Sequence, residues 1–194
     1  MARDKKLFKA ERMKAVFIDR DGTINIEKGF VHKIEDWEFI PGAIQALKHL
    51  CDQGIKIYVI TNQSGIARGY YGEVEFHELM DHVARDLEKE GVKLERVLYC
   101  PHHPEGSVPG YALECDCRKP HTRLMEEVMS EQGFDAGDVA LIGDKESDIE
   151  AGTRLGVTTY LVLTGYGREF ASRTAATHVK DHILDAVRHL LNLK

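Results

Sequence analysis

Short apolar runs alternate with amphipathic helical stretches along most of the chain, and this alternation restricts the fold more than any other feature. Runs of strand length lie at 15–18, 55–60, 96–99, 139–142 and 158–163. Helical patterns lie between them at 43–50, 73–90, 123–132 and 149–155, and a last one closes the chain at 183–191. Pro41-Gly42, Gly91 and Gly156 supply start and stop signals. Strands that alternate with helices are joined by right-handed crossovers and build a mainly parallel sheet, so the expected class is α/β. A chain of 194 residues suits one domain with a full core, here expected over 1–194, with 1–13 as an N-terminal lead-in.

Composition removes several classes of function. No apolar run approaches the roughly 20 residues that a membrane helix needs. The opening MARDKKLFKAERMK is basic with no apolar stretch behind it, so it does not read as a secretory signal, and the expected location is cytoplasmic. A formal net charge of −6 argues against a nucleic-acid partner, which calls for a basic face. The expectation is a monomer that acts on a small molecule, with neither nucleic acid nor membrane as partner.

The polar residues concentrate where the strands end. Asp19, Asp21, Thr61, Asn62 and Asp144 all follow predicted strands, and open parallel sheets bind ligands just beyond those ends. In FIDRDGTIN (17–25), Asp19 and Asp21 flank one residue; in extended chain they point the same way. By itself an Asp-Gly pair is a turn. In VITNQSG (59–65), the Thr61 hydroxyl and turn N–H groups suit phosphate oxygens, although a helix N-cap explains them equally well. CRKPH (117–121) offers the cations Arg118 and Lys119. LIGDKESDIEAG (141–152) carries Asp144 and Asp148 one helical turn apart with Lys145 between them, a pattern that a helix dipole alone would favour.

Together the four segments fit phosphoryl transfer. A carboxylate nucleophile facing an anionic phosphoryl group needs its charge offset, which Mg²⁺ held by carboxylates can do. Thr61 and Lys119 can hold the equatorial oxygens. Asp19 can attack phosphorus and form an aspartyl-phosphate. Asp21 can protonate the leaving alkoxide and later activate water.

In this order the segments resemble the haloacid dehalogenase-like phosphohydrolases. DRDGT (19–23), TN (61–62), Lys119 and GDKESD (143–148) match the four motifs of that superfamily. The resemblance implies a Rossmann-like three-layer sandwich. It implies Asp19 as nucleophile, Asp21 as acid/base, and Thr61 and Lys119 holding the phosphoryl group. It also implies Mg²⁺ on the Asp19 carboxylate, the Asp21 carbonyl and Asp144, with Asp148 supporting that shell or Lys119. Neither inter-motif gap is long enough for a full cap domain, so the site is expected to be open and shaped by loops 24–36, 63–72 and 101–118.

Residues 100–117 read CPHHPEGSVPGYALECDC, with Cys100, His102, His103, Cys115 and Cys117 as candidate ligands. Three thiolates and one imidazole make a closed structural zinc site. Such a clip would order a loop that has no core of its own and would deliver Arg118 and Lys119 to the phosphate site. Cys51 stands apart and is expected to be a small buried hydrophobe.

At a finer level the chain resembles the D-glycero-D-manno-heptose-1,7-bisphosphate 7-phosphatase family. The matching stretches are DRDGTIN (19–25), TNQSGIARGYY (61–71), CPHHP (100–104), CDCRKP (115–120) and GDKESDI (143–149). That resemblance implies Zn²⁺ on Cys100, His102, Cys115 and Cys117. It implies substrate contacts from Glu27, Lys28, Gly29, Phe30, Asn62, Gln63, Ser64, Arg118 and Lys145. The implied reaction is hydrolysis of the C7 phosphate of a heptose bisphosphate in nucleotide-activated heptose biosynthesis. Histidinol-phosphate phosphatase is the nearest alternative, and a non-catalytic phospho-metabolite binder is the alternative from another class.

Overall fold

The structure is a computed structural model and describes residues 13–193. The expected lead-in therefore falls outside the described residues, except Met13, which is buried in the core. The strands are β1 (Ala15–Ile18), β2 (Lys56–Asn62), β3 (Arg96–Cys100), β4 (Val139–Gly143), β5 (Thr158–Val162) and β6 (His178–Lys180). The helices are α1 (Ala43–Asp52), α2 (Ser64–Ala67), α3 (Glu73–Lys89), α4 (Arg123–Gln132), α5 (Glu146–Leu155), α6 (Gly167–Phe170) and α7 (Ile183–Leu191).

All five pairings between strands are parallel, and the order across the sheet is β3-β2-β1-β4-β5-β6. The chain runs outward one way from β1, then restarts at β4 and runs outward the other way. The switch point lies between β1 and β4, where crossovers leave toward opposite sides and open a crevice at the C-terminal strand ends. Ile18, the last residue of β1, stands level with Val59 on one side and Ile142 on the other. Asp19, Thr61 and Asp144 therefore emerge along one edge.

Both sheet faces are covered, which is why β1 reads as continuous Ala-Val-Phe-Ile, buried throughout. Val16, Ile18, Ile57, Val59, Ala140 and Ile142 pack against α1, α3 and α7. The alternate residues Ala15, Phe17, Tyr58, Ile60, Val139 and Leu141 pack against α4 and α5. This is the expected three-layer arrangement.

Several boundaries differ from the expectation. Strand β2 includes Thr61 and Asn62, because β3 pairs with them through Tyr99 and Cys100. Helix α5 starts at Glu146 rather than at 149, because Asp148 Oδ2 accepts the Lys145 N–H at 3.0 Å and closes its first turn. Strand β6 was not expected; its three residues have no apolar alternation and take their place from the edge of β5. Cys51 is half-buried rather than buried, and its sulfur accepts the Lys93 N–H at 3.5 Å.

The three expected loops meet one another. Phe30 and Tyr70 pack edge to face at 4.7 Å, and His32 stacks on Tyr71 at 4.6 Å. Ser107 and Val108 both donate backbone N–H bonds to Ala67 O. The loop 101–118 is also tied to α3, since the Tyr111 hydroxyl donates to one Glu73 oxygen at 3.0 Å, while Tyr99 of β3 donates to the other at 2.9 Å.

Leu141 lies at the sheet centre with no exposure, and its Cδ2 sits 3.2 Å from where a Cβ on Gly152 would stand. Leu141→Ala is expected to destabilise the protein by about 2–5 kcal/mol, read as a lower urea midpoint with an unchanged m-value.

Candidate active site

Asp19 follows β1 directly and is almost fully buried. Its Oδ1 accepts a hydrogen bond from Lys119 Nζ at 2.6 Å. The same ammonium forms an ion pair with Asp148 Oδ1 at 2.6 Å and donates to Ile60 O. Burial opposes the charge on Lys119, but Asp148 and Asp19 outweigh it and raise its pKa, so it stays a cation. Asn62 holds that lysine in place through its backbone. Its Nδ2 donates to Lys119 O and its Oδ1 accepts from Lys119 N, both at 3.0 Å. Two residues 57 positions apart are thus joined by a paired amide clasp.

Asp144 follows β4. Its Oδ2 accepts the Tyr166 N–H at 2.9 Å, whereas its Oδ1 is buried with no hydrogen-bond partner among the described residues. Asp19, Asp144 and Asp148 present carboxylate oxygens within 4.8 Å of one another. Burial raises Asp19 to about 6 despite Lys119, with Asp148 adding repulsion. Burial and the repulsion of Asp19 and Asp148 raise Asp144 to about 8. A buried carboxylate cluster with one unpartnered oxygen is a fit for a divalent cation with hard oxygen ligands.

The segment 164–167, Thr-Gly-Tyr-Gly, packs against Gly22 and Asp144 in this site and was not singled out from the sequence. Thr164 Oγ1 donates to Gly22 O at 2.6 Å. A Cβ on Gly165 would lie 2.1 Å from Asp144 Oδ2 and 2.7 Å from Gly22 Cα, and φ there is +53°. Only glycine fits that approach. The signal available in the sequence was two glycines just beyond the end of an apolar run, where ligand loops occur.

Asp21 sits in a network of donors. Arg20 Nη2 and Asn25 Nδ2 reach its Oδ1 at 2.7 and 3.1 Å, and Gln63 Nε2 reaches its Oδ2 at 3.0 Å. Burial would raise its pKa, but the Arg20 charge and the three donors win, and the value is lowered. Arg20 is itself fully buried; its guanidinium lies 5.9 Å from the Trp37 ring centroid and 5.7 Å from that of Phe76.

The remaining expected residues line the rim or support it. Lys145 forms an ion pair with Glu27 at 3.5 Å and lies over the Tyr166 ring at 5.0 Å. Gly29 donates its N–H to Glu27 Oε1 at 2.8 Å. Phe30 is exposed and adopts a left-handed φ of 55°. Lys28 is committed elsewhere, to Glu38 at 2.9 Å and Asp36 O at 3.2 Å. Ser64 opens α2, and Gln63 is turned inward rather than toward the rim. Arg118 is half-buried, with its Nη1 donating to His102 O at 3.3 Å.

A second cluster lies next to Arg118. Cys100, Cys115, Cys117 and His102 offer ligand atoms within 4.8 Å of one another, and His103 is not among them. The sulfur separations are 3.2–3.4 Å, and His102 Nδ1 lies 3.3 Å from Cys117 Sγ. A tetrahedral ion with metal–sulfur bonds of ~2.3 Å sets sulfurs about 3.8 Å apart, close to this spacing. Burial and Cys115 push Cys117 up to about 11, and burial and Cys117 raise Cys100, while for Cys115 burial is outweighed by hydrogen bonds with Cys117 and Cys100, which lower it. Three sulfurs and one imidazole nitrogen gathered this closely form a donor set that suits a tetrahedral cation.

Comparison with known proteins gives a consistent neighbourhood. Residues 116–190 match the family model described as HAD-hydrolase-like. The D-glycero-alpha-D-manno-heptose-1,7-bisphosphate 7-phosphatase of Photorhabdus laumondii is 44% identical over 80% of this chain and 85% of its own length. The D-glycero-beta-D-manno-heptose-1,7-bisphosphate 7-phosphatase of Escherichia coli K12 is 40% identical over 91% and 93%. Among solved structures, the D,D-heptose 1,7-bisphosphate phosphatase of B. bronchiseptica, complexed with magnesium and phosphate, superposes with a TM-score of 0.83. It is 29% identical, covering 93% of this chain and 99% of that one.

The raised Asp19 and Asp144 values imply a pH-dependent response to metal. A carboxyl whose folded pKa exceeds its unfolded value of 3.8 contributes stability fully below that value and loses it as pH rises through the folded one. The metal-free protein should therefore lose stability from about pH 4 to about pH 8. Mg²⁺ binds the ionised carboxylates, so its rise in Tm should be larger near pH 8 than near pH 5.5, where it must displace protons. A thermal melt at both pH values with and without Mg²⁺ checks this; equal shifts would contradict it.

Proposed function

Since the chain belongs to the D-glycero-D-manno-heptose-1,7-bisphosphate 7-phosphatase family of haloacid dehalogenase-like phosphatases, we propose that it hydrolyses the C7 phosphate of a heptose 1,7-bisphosphate through an aspartyl-phosphate on Asp19. The observation that carries this reading is the buried triad of Asp19, Lys119 and Asp148, with Asp144 alongside. The cleavage serves the synthesis of nucleotide-activated heptose for surface glycans. The reading takes 1–194 as a single phosphatase domain without a separate cap, acting as a cytoplasmic monomer. Among the described residues no helix is long and apolar enough to cross a membrane.

In this mechanism Asp19, Asp144 and the Asp21 carbonyl hold Mg²⁺, which supplies the positive charge that lets one anion approach another. On substrate binding Lys119 would exchange its contact with Asp19 for an equatorial oxygen of the phosphoryl group, and the Thr61 hydroxyl would bind another. An Asp19 oxygen attacks phosphorus in line with the leaving alkoxide. For this step Asp21, ionised in the free protein, must carry a proton in the substrate complex; it gives that proton to the alkoxide, and the carboxylate so formed removes one from the water that attacks the aspartyl-phosphate. Inorganic phosphate leaves and Asp19 is regenerated. Asp19→Asn keeps the shape of the side chain but is a poor nucleophile. It is expected to fold normally and to release no phosphate above a buffer blank; retained turnover in the pure variant would exclude the covalent route.

The cysteine–histidine loop is read as a structural zinc site, in which Cys100, His102, Cys115 and Cys117 would hold the ion. With four protein ligands such an ion would have no open position for substrate, and it would fix the stretch of chain that ends at Arg118 and Lys119. About one zinc per chain is expected by elemental analysis of protein purified without added metal, and Cys115→Ser should lose both the zinc and stability. Unchanged metal content and melting in that variant would exclude the clip.

The preference for a bisphosphate rests on charge. Mg²⁺, Thr61 and Lys119 already serve one phosphoryl group. Arg118 adds a planar fork and Lys145 a point charge beside the same site, with Glu27 and Phe30 on the rim. Histidinol phosphate brings an amine and an imidazole instead, and gains little from two further cations. Arg118→Ala should therefore cost a heptose bisphosphate about 1–3 kcal/mol more in kcat/KM than a monophosphate. Wild-type preference for histidinol phosphate, or an equal loss on every substrate, would overturn the substrate but not the chemistry.

A further inference from the structure

Gln63 is buried, and each polar atom of its amide has a partner inside the protein. Nε2 donates to Asp21 Oδ2 at 3.0 Å and to Thr61 Oγ1 at 2.7 Å. Oε1 accepts from the Tyr71 hydroxyl at 2.6 Å. An ionised carboxylate only accepts, so the side of the amide that faces Asp21 is the nitrogen, and the Tyr71 hydroxyl holds the other side. Tyr71 is in turn fixed by the stacked His32 ring, 6° from parallel. It is also fixed by Gly65, where a Cβ would lie 2.2 Å from Tyr71 Cε1.

The donors around Asp21 are unevenly divided. Oδ1 takes two of them, Arg20 and Asn25, which occupies its in-plane lone pairs. Oδ2 takes one, from Gln63, and keeps one lone pair. A proton can be exchanged with substrate or water only at that remaining position. The Thr61 hydroxyl accepts from Gln63, so its own hydrogen is free to donate toward a phosphoryl oxygen.

We propose that Gln63 is a positioning residue that selects Oδ2 of Asp21 as the proton-transferring oxygen and registers it against the Thr61 hydroxyl, with Tyr71 locking the amide. This rests on the reading of Asp21 as acid/base given above. It assigns Gln63 to the proton-transfer machinery rather than to contact with the sugar.

A leaving-group comparison tests it. kcat/KM reports the reaction up to departure of the leaving group. A sugar alkoxide needs a proton to leave, whereas p-nitrophenolate does not. Gln63→Ala is expected to lower kcat/KM for the heptose bisphosphate at least about tenfold more than for p-nitrophenyl phosphate. Tyr71→Phe, which removes only the hydroxyl, should show the same asymmetry to a smaller degree and guards against misfolding of the first variant. Asp21→Asn is the control and should show the largest asymmetry. Equal losses on both substrates in Gln63→Ala and Tyr71→Phe, with asymmetry in Asp21→Asn, would overturn the proposal alone. A raised KM for the bisphosphate with unchanged kcat would do the same, because it would make Gln63 a sugar contact. No asymmetry in Asp21→Asn would overturn the acid/base reading and the proposal with it.

Discussion

A single ammonium holds the centre of this molecule together. Lys119 Nζ sits almost fully buried between Asp19 and Asp148 at 2.6 Å from each. Removing three charges from water costs several kcal/mol per ion unless the geometry compensates. Here the compensation is complete for the lysine, which has two carboxylates and a backbone carbonyl, but incomplete for the acids. Asp144, next to the pair, keeps a bare buried oxygen, and both Asp19 and Asp144 are held well above the ordinary carboxylate range. The excess of buried negative charge is what makes the pocket receptive to a divalent cation and, through it, to an anionic substrate.

The rest of the site is built to keep that cluster in register. The acidic groups arrive from two strand ends, Asp19 and Asp21 after β1 and Asp144 and Asp148 after β4, and neutral groups help to aim them. Asn62 clasps the Lys119 backbone, Gln63 reaches Asp21, and the Tyr166 N–H fixes one oxygen of Asp144. A neutral donor suits Asp144, because the Tyr166 N–H orients the carboxylate without cancelling the charge that a metal requires, whereas Asp21, whose side chain is not read as a metal ligand, also takes the Arg20 guanidinium at 2.7 Å. The glycines at 22 and 165 permit the approach; a Cβ on either would fall 2.1–2.2 Å from Asp144 Oδ2.

The cysteine–histidine cluster links scaffold to chemistry. The chain leaves β3 at Cys100, wanders through a long stretch with little regular structure, and returns at Cys117 two residues before Lys119. The Glu73 carboxylate anchors it from the side through Tyr111. Without such ties the lysine would hang on a loop whose ordering entropy nothing offsets.

The alternation of strand and helix, the three-layer packing and the strand-end position of Asp19 and Asp144 were legible in the residues, because periodicity and burial are local consequences of sequence. So was the gathering of Asp19 with Asp144 and of Cys100, His102, Cys115 and Cys117, conspicuous residue types at telling places. The start of α5 was missed because a side chain three residues on, Asp148, caps it. Strand β6 was missed because it exists only as an edge added to β5. Residues that act through another group were harder still. Asn62, Gln63 and Lys28 look alike as polar residues beside a site, yet one clasps a lysine, one is buried against Asp21 and one points away to Glu38. The sequence by itself determined which chemistry the chain can carry, because charge and nucleophilicity belong to residue types. Only the tertiary structure decided which lone pair of each carboxylate stays open, because Arg20 and Asn25 must turn back onto Asp21 Oδ1 and the Tyr166 N–H must come from 22 positions away to reach Asp144 Oδ2, contacts that the fold alone sets in place.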